Sequence, residues 1–240
     1  MEPKKTHREV KNPQMNARLL ADFMAASDIS RGTIIRKAKY QPLAPIVQHD
    51  EAKPIVSNFL RGAGGDVAIL SGKAQTIRDR LADSDFDRLR FDYNADYIDR
   101  FATTFDKFEM PKADFLPGKS LTLGLNGVKV PVEVNLRLRR LTTTNKVRVG
   151  IAALRYAKGK ALSPEVAHWH AALLYGALGE IGSDDGAEAE LKLCLALDVW
   201  TGTTHAAPGD SITRFKNMKA ACTGIVERWP NISPPANAVL

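Results

Sequence analysis

Four polar residues in this 240-residue chain have side chains suited to work on a phosphodiester: Glu133, Glu190, Lys192 and Asp198. Carboxylates in pairs hold a divalent cation such as Mg2+, which polarises a phosphoryl oxygen and activates water. A lysine two residues from a carboxylate on a strand shares its face and can support the nucleophile. Glu190-Leu191-Lys192 supplies that spacing within ELKLCLALDVW, with Asp184, Asp185 and Glu188 before it and Asp198 after it. Asp198 followed by a tight turn and His205 could form a second acid-base pair, although an aspartate there is more simply a cap for the Thr201-Gly202 turn.

Other chemistries fail on spacing. In GAGGDVAILSGKA the Gly72-Lys73 pair follows a glycine cluster, but Val67 stands where a phosphate loop needs glycine and Ala74 where it needs Ser or Thr. His168 and His170 are two residues apart on a predicted helix and point away from each other, so no metal site is expected from them. Cys194 and Cys222 each lie in an apolar run, which predicts buried thiols and a reducing compartment.

Two stretches resemble known patterns. The E-x-K triplet, in a predicted order of helix, three antiparallel strands, helix and strand, is similar to PD-(D/E)-x-K nucleases. That resemblance implies a divalent-metal phosphodiesterase, although the triplet lies one strand later than in that family. FMAASDISRGTIIRKAKY, residues 23 to 40, resembles a helix-turn-helix, with Ser30 as cap and a second helix bearing Arg31, Arg36, Lys37 and Lys39. In such a unit the second helix enters the major groove.

The distribution of charge carries more weight than any motif. The formal net charge is +7, yet residues 116 to 160 alone hold ten Lys/Arg against a single acid, Glu133. In VEVNLRLRRL the twofold alternation puts Val132, Val134, Leu136 and Leu138 on one face and Glu133, Asn135, Arg137 and Arg139 on the other. If the next strand registers its polar face alongside, Lys146 and Arg148 complete a cationic patch, with Arg140, Arg155, Lys158 and Lys160 at its rim. The named rival is self-neutralisation by the Asp-rich stretch at 79 to 114.

The elements that must position these residues follow from periodicity. Residues 1 to 14 read as a flexible basic arm, and residues 15 to 115 as a helical domain. Its helices run from Asn16, after Ser30, from Asp50 or Glu51 to Leu60, over 67 to 81, and over about 94 to 108. Residues 116 to 240 read as an α+β domain. Asn126-Gly127 makes a hairpin of LTLGL and VKVPVEVNLRLRRL, TTTN turns into KVRVGIAALRYA, and a strand between two helices completes a β-β-β-α-β-(β)-α order. The sheet is expected to be covered on one face by the two C-terminal helices. No stretch has the length or hydropathy of a membrane span, so a cytoplasmic protein is expected.

These observations favour a non-enzymatic nucleic-acid-binding protein without cofactors, contacting phosphates through the basic meander. A metal-dependent nuclease and an adaptor docking on an acidic protein are the alternatives.

Overall fold

The protein is described from a computed structural model that covers residues 5–43, 49–62, 65–182 and 187–240. It is mixed α+β, with helices in the N-terminal half and strands in the C-terminal half. Four helices fall where apolar residues recur at helical spacing: α1 (Ala17–Ala25), α2 (Asp28–Lys39), α3 (Ala52–Arg61) and α4 (Ala68–Arg78). Asn16 caps α1 by accepting from the Leu19 N–H at 2.8 Å. Helix α5 (Asp85–Thr104) starts earlier than the apolar spacing indicated, because Ser84 caps it through the Asp87 N–H and Asp85 and Asp87 favour its positive end. Leu81, read from spacing as inward-facing, lies beyond the end of α4 and is 95 % exposed.

Before the main sheet, β1 (His7–Glu9) pairs antiparallel with β2 (Tyr40–Pro42). Part of the stretch read as a loose arm is therefore tied to the C-terminus of α2. The strands that follow are β3 (Asp114–Pro117), β4 (Leu121–Leu125), β5 (Val128–Val132), β6 (Leu136–Leu141) and β7 (Val147–Arg155). After α6 (Pro164–Ile181) come β8 (Glu188–Ala189), β9 (Leu195–Asp198), β10 (Thr203–Ala206) and α7 (Ser211–Arg228). The main sheet has the order β10-β9-β7-β6-β3; β7 and β9 are parallel, the other pairs on this path antiparallel, and β8 adds to β7 in parallel.

The hairpins are where the turn residues put them, with Asn126 at φ 42°, Gly127 at φ 86° and Asn145 at φ 58°. The run from Val128 to Leu141, however, is two strands in two sheets. Hairpin β4–β5 stands apart, and β3 takes the place beside β6. The break is at Glu133–Asn135. There the Asn135 side chain accepts the Leu154 N–H at 2.7 Å and donates to Glu133 at 3.1 Å, replacing ladder bonds with side-chain ones. The chain leaving β3 crosses so closely that a Cβ on Gly118 would lie 2.2 Å from the Val134 carbonyl oxygen.

Both faces of the sheet are covered, not one. Leu136, Leu138, Ala152, Leu154, Leu195 and Leu197 pack with α3, α4 and α5, around Tyr97, Ile98 and Phe101. Ile151, Ala153, Cys194 and Ala196 pack with α1, α2, α6, α7 and the β4–β5 hairpin. Strands buried on both sides read as continuous apolar runs, and IAAL at 151–154 and LAL at 195–197 are such runs. ELKLCLALDVW accordingly is not one strand; Leu191–Leu193 form a short 3-10 helix that lays Leu193 over Gly150.

That contact admits no side chain at 150, where a Cβ would sit 2.0 Å from the Leu193 carbonyl oxygen. Gly150→Ala is therefore expected to cost about 3 kcal/mol or more. Gly124→Ala, in β4 with nothing within 4 Å of the added Cβ, should change stability by no more than about 0.5 kcal/mol. Urea unfolding of the two variants beside the parent checks this, and equal losses would contradict the packing described.

Candidate nucleic-acid interface

The register of β6 on β7 divides the predicted patch. Arg137 lies opposite Ile151 and Arg139 opposite Val149, whereas Arg140 lies opposite Arg148. Directly opposed residues share a face. Arg137 and Arg139 thus lie on the α6 side, both exposed, while Arg140, Lys146 and Arg148 belong to the other side. The expected co-facing of Arg137, Arg139, Lys146 and Arg148 fails because the Thr142–Asn145 turn sets a register one residue away from it.

Arg140, Lys146 and Arg148 meet carboxylates. Arg140 forms a two-pronged pair with Glu190, its Nε 2.9 Å from Oε2 and its Nη2 against Oε1. Arg148 pairs with Glu188, and Lys146 approaches the same carboxylate at 4.0 Å. The acids that neutralise this part of the sheet come from the segment after α6, not from the Asp-rich stretch. Within that stretch, Asp96 and Asp99 pair with Arg78, Asp96 reaches Lys158 (2.6 Å), and Asp114 of β3 lies directly opposite Arg139 of β6. Burial would raise the Asp96 carboxyl, but hydrogen bonds from Lys158 and Arg78 outweigh it and hold it below the usual range. Arg155 is buried and donates to Asp22 of α1 at 2.9 Å. Lys160 is exposed.

The residues of the metal-dependent reading do not converge. Glu133 precedes β6 and pairs with Lys53 of α3 at 2.7 Å. Glu190 is bonded to Arg140, and its N–H donates to the Val149 carbonyl, on the opposite flank of β7 from β6. Lys192 is exposed on the short 3-10 helix. Asp198 is buried and accepts from the Leu162 N–H (2.9 Å), the Trp200 N–H (3.0 Å) and the Thr201 hydroxyl (2.6 Å), which is the turn-capping role. Asp184 and Asp185 lie outside the described residues. Among the described residues, no group of three or more His, Cys, Asp or Glu side chains is placed to hold a metal ion. The rings of His168 and His205 lie 6.3 Å apart, and His170 is buried.

The second helix of the predicted helix-turn-helix divides its cations between structure and surface. Arg31 reaches back to α1, donating to the Phe23 and Met24 carbonyls at 3.1 and 3.2 Å and pairing with Asp28. Lys39 is buried and donates to the carbonyls of Trp229, Pro230 and Ile232, with Glu9 at 3.3 Å. It closes the last turns of the C-terminal segment. Ser30 lies inside the first turn, and Ser27 holds the cap position. Arg36 and Lys37 instead are exposed and border a cleft of about 920 Å³ between α2 and the β1–β2 ribbon.

Arg8 and His7 border the same cleft, with Gln14, Asn16, Thr33 and Gln41 as polar lining. Arg8 is held outward by two hydrogen bonds to the Gln41 amide, at 3.1 and 2.7 Å. Among the described residues, no Asp or Glu lines it. Arg8 and His7 were passed over as parts of a loose arm. The available signal was the alternation in THREVK, too short to mark a strand without its partner.

A second cleft, of about 490 Å³, is lined by His49, Lys53, Ser57, Asn58, Glu133 and Asn135, among others. His49 packs its ring 5.0 Å from Tyr97 and 5.1 Å from Tyr156. Burial, and then the charges of Lys53 and Arg18, lower its pKa from 6.5 to about 4.

Two measurements follow from this geometry. A double-mutant cycle with Arg140→Met and Glu190→Gln should give a coupling of about 1 kcal/mol that shrinks in high salt; a zero coupling would remove the pair as the neutralising contact. For His49 the unfolded chain takes up a proton near pH 6.5 and the folded chain only near pH 4. Stability from this group is complete above pH 6.5 and is lost as pH falls from there to 4. The urea midpoint should drop between pH 7 and 4.5, and drop less in His49→Gln. The chain matches no protein-family model and no curated protein.

Proposed function

We propose that this chain is a non-enzymatic nucleic-acid-binding protein whose main phosphate contacts are Arg8, Arg36 and Lys37. The observation that carries the reading is the cleft between α2 and the β1–β2 ribbon, in which these cations stand without any carboxylate among the described residues of the lining. A cation already paired gains little from a phosphate, because its own ion pair must first be given up. An exposed unpaired cation releases phosphate-bound counterions at no such cost. This comparison favours the cleft over Arg140, Lys146, Arg148, Arg155 and Lys158, each bonded to a carboxylate. Arg137 and Arg139, exposed on the α6 side of the sheet, provide a second strip of positive charge.

Contacts of this type set position and affinity with little choice of sequence. Among the described residues of the lining, Tyr40 is the one Phe, Tyr or Trp and it is buried, so stacking on splayed bases is a minor contribution. The nuclease alternative keeps its order of helix, strands, helix and strand, but its carboxylates are occupied in separate structural bonds. The adaptor alternative rests on unpaired basic strands, and most of their cations are already matched within the chain.

Anisotropy of labelled duplex DNA, single-stranded DNA and RNA between 50 and 200 mM salt tests the proposal. At least one of these should bind, and Arg36→Glu with Lys37→Glu should weaken it by about tenfold or more and lower the salt slope by about 2. Arg137→Glu with Arg139→Glu should have a smaller effect. No binding at 50 mM salt would end the nucleic-acid reading, and a larger loss from the sheet pair would relocate the site.

A further inference from the structure

A third cavity, of about 360 Å³, opens where the parallel strands β7 and β9 end and α6 begins. It is separate from the cleft above and shares no lining residue with it. Ligands of open sheets commonly sit at the carboxyl ends of parallel strands, where the crossover leaves a crevice. Here the crevice is bordered by Arg18 and Asp22 of α1, Arg155 and Tyr156 at the end of β7, Lys160 and Ser163 before α6, and Asp198 at the end of β9.

Two guanidinium groups converge on this space from different elements. Arg155 is 94 % buried, since 6 % of its surface is exposed, and it is held by the Asp22 carboxylate (2.9 Å) and the Arg18 carbonyl (3.4 Å). Arg18 makes one long bond, 3.5 Å, to the Tyr156 carbonyl. Burial and the charge of Arg18 both work against protonated Arg155, and only Asp22 and Asp198 offset them. The two carboxylates do not balance the three cations. Asp198 is committed to two donors of its own turn and to the Leu162 N–H before α6, leaving Asp22 as the counter-charge for Arg18, Arg155 and Lys160 together. Behind the cavity, one turn along α6 from the lining Val166, His170 is buried with its Nδ1 unpartnered and is lowered well below 6.5 by burial, then by Arg155 and Arg18. A neutral imidazole there adds no further positive charge but leaves the pair uncompensated.

We infer that this cavity binds a small phosphate-bearing anion, with Arg18 and Lys160 as its direct contacts and Arg155, held by Asp22, as fixed positive charge beside them. The Arg18 guanidinium fork matches one edge of a phosphate, and the Lys160 ammonium, from a separate segment of the lining, suits another of its oxygens. The volume accommodates a phosphate with a small organic group attached. The phosphate could belong to a free mononucleotide or to the 5′ end of a strand, and the chemistry at Arg18 and Lys160 is the same.

Titration of the full chain with inorganic phosphate, against sodium chloride at equal ionic strength, tests this by isothermal calorimetry and thermal unfolding. The expected result is saturable binding with a rise in Tm that chloride does not produce. Arg18→Gln should weaken the affinity at least tenfold. Arg18→Lys, which keeps the charge and loses the fork, should weaken it several-fold while retaining the parent circular dichroism. Adenosine monophosphate and a 5′-phosphorylated tetranucleotide, compared with its 5′-hydroxyl form, tell which source the site takes. Lys73→Glu, at an exposed position of α4 outside both clefts, should bind phosphate as the parent does, and because the two clefts share no lining residue a failed nucleic-acid assay leaves this result standing. A response equal to that of chloride, or an Arg18→Gln protein that binds phosphate like the parent, would overturn the inference.

Discussion

Burial of the β7–β9 pair from both sides is the constraint on which the rest of the structure depends. Each residue from Ile151 to Tyr156 and from Leu193 to Val199 is buried, and alternate side chains enter two different cores. At about 1.5–3 kcal/mol for each large apolar side chain removed from water, these short runs outweigh any surface ion pair in the molecule. Covering both faces requires α3, α4 and α5 on one side and α1, α6 and α7 on the other, so the N-terminal helices are divided between the layers. Gly150 and Gly176 let the layers close, the first under Leu193 and the second against the Phe215 ring.

The same constraint disposes of the charges. Polar side chains leave the sheet at its ends and along its edge strands, and each end has a distinct electrostatic solution. At one end Glu188 and Glu190 meet Arg148, Lys146 and Arg140. At the other, Arg155 is drawn under α1 to Asp22 and Asp198 caps its own turn. The basic strands read as a platform are largely a set of internal ion pairs. Arg8, Arg36 and Lys37 gather where α2 meets the N-terminal ribbon, and Lys39 anchors that corner by tying α2 to the chain after α7.

Much of the fold was legible locally. Helix positions followed the apolar spacing of α1 to α4 and α7, and the turns at Asn126-Gly127 and Thr142–Asn145 followed from residues that tolerate positive φ. The length of α5 was missed because its first turns, DFDRLRF, are dominated by charge, with Arg88 donating to the Arg78 and Arg80 carbonyls and pairing with Asp92, and Arg90 pairing with Asp87. The meander was misdrawn because Val128–Leu141 alternates without interruption, and only the Asn135 side chain and the crossing at Gly118 reveal the break.

The sequence by itself determined which segments are helical, where hairpins turn, and that positive charge is concentrated between residues 116 and 160. These are properties of neighbours along the chain, set by periodicity and backbone preference. Only the tertiary structure decided which of those charges remain available. Pairing Arg140 with Glu190 spans fifty residues, and setting Arg18 beside Arg155 spans more than a hundred. A register shift of one residue moves a side chain to the opposite face. Twofold alternation records that two faces exist; strand register and helix packing assign each cation to a partner, a core or solvent.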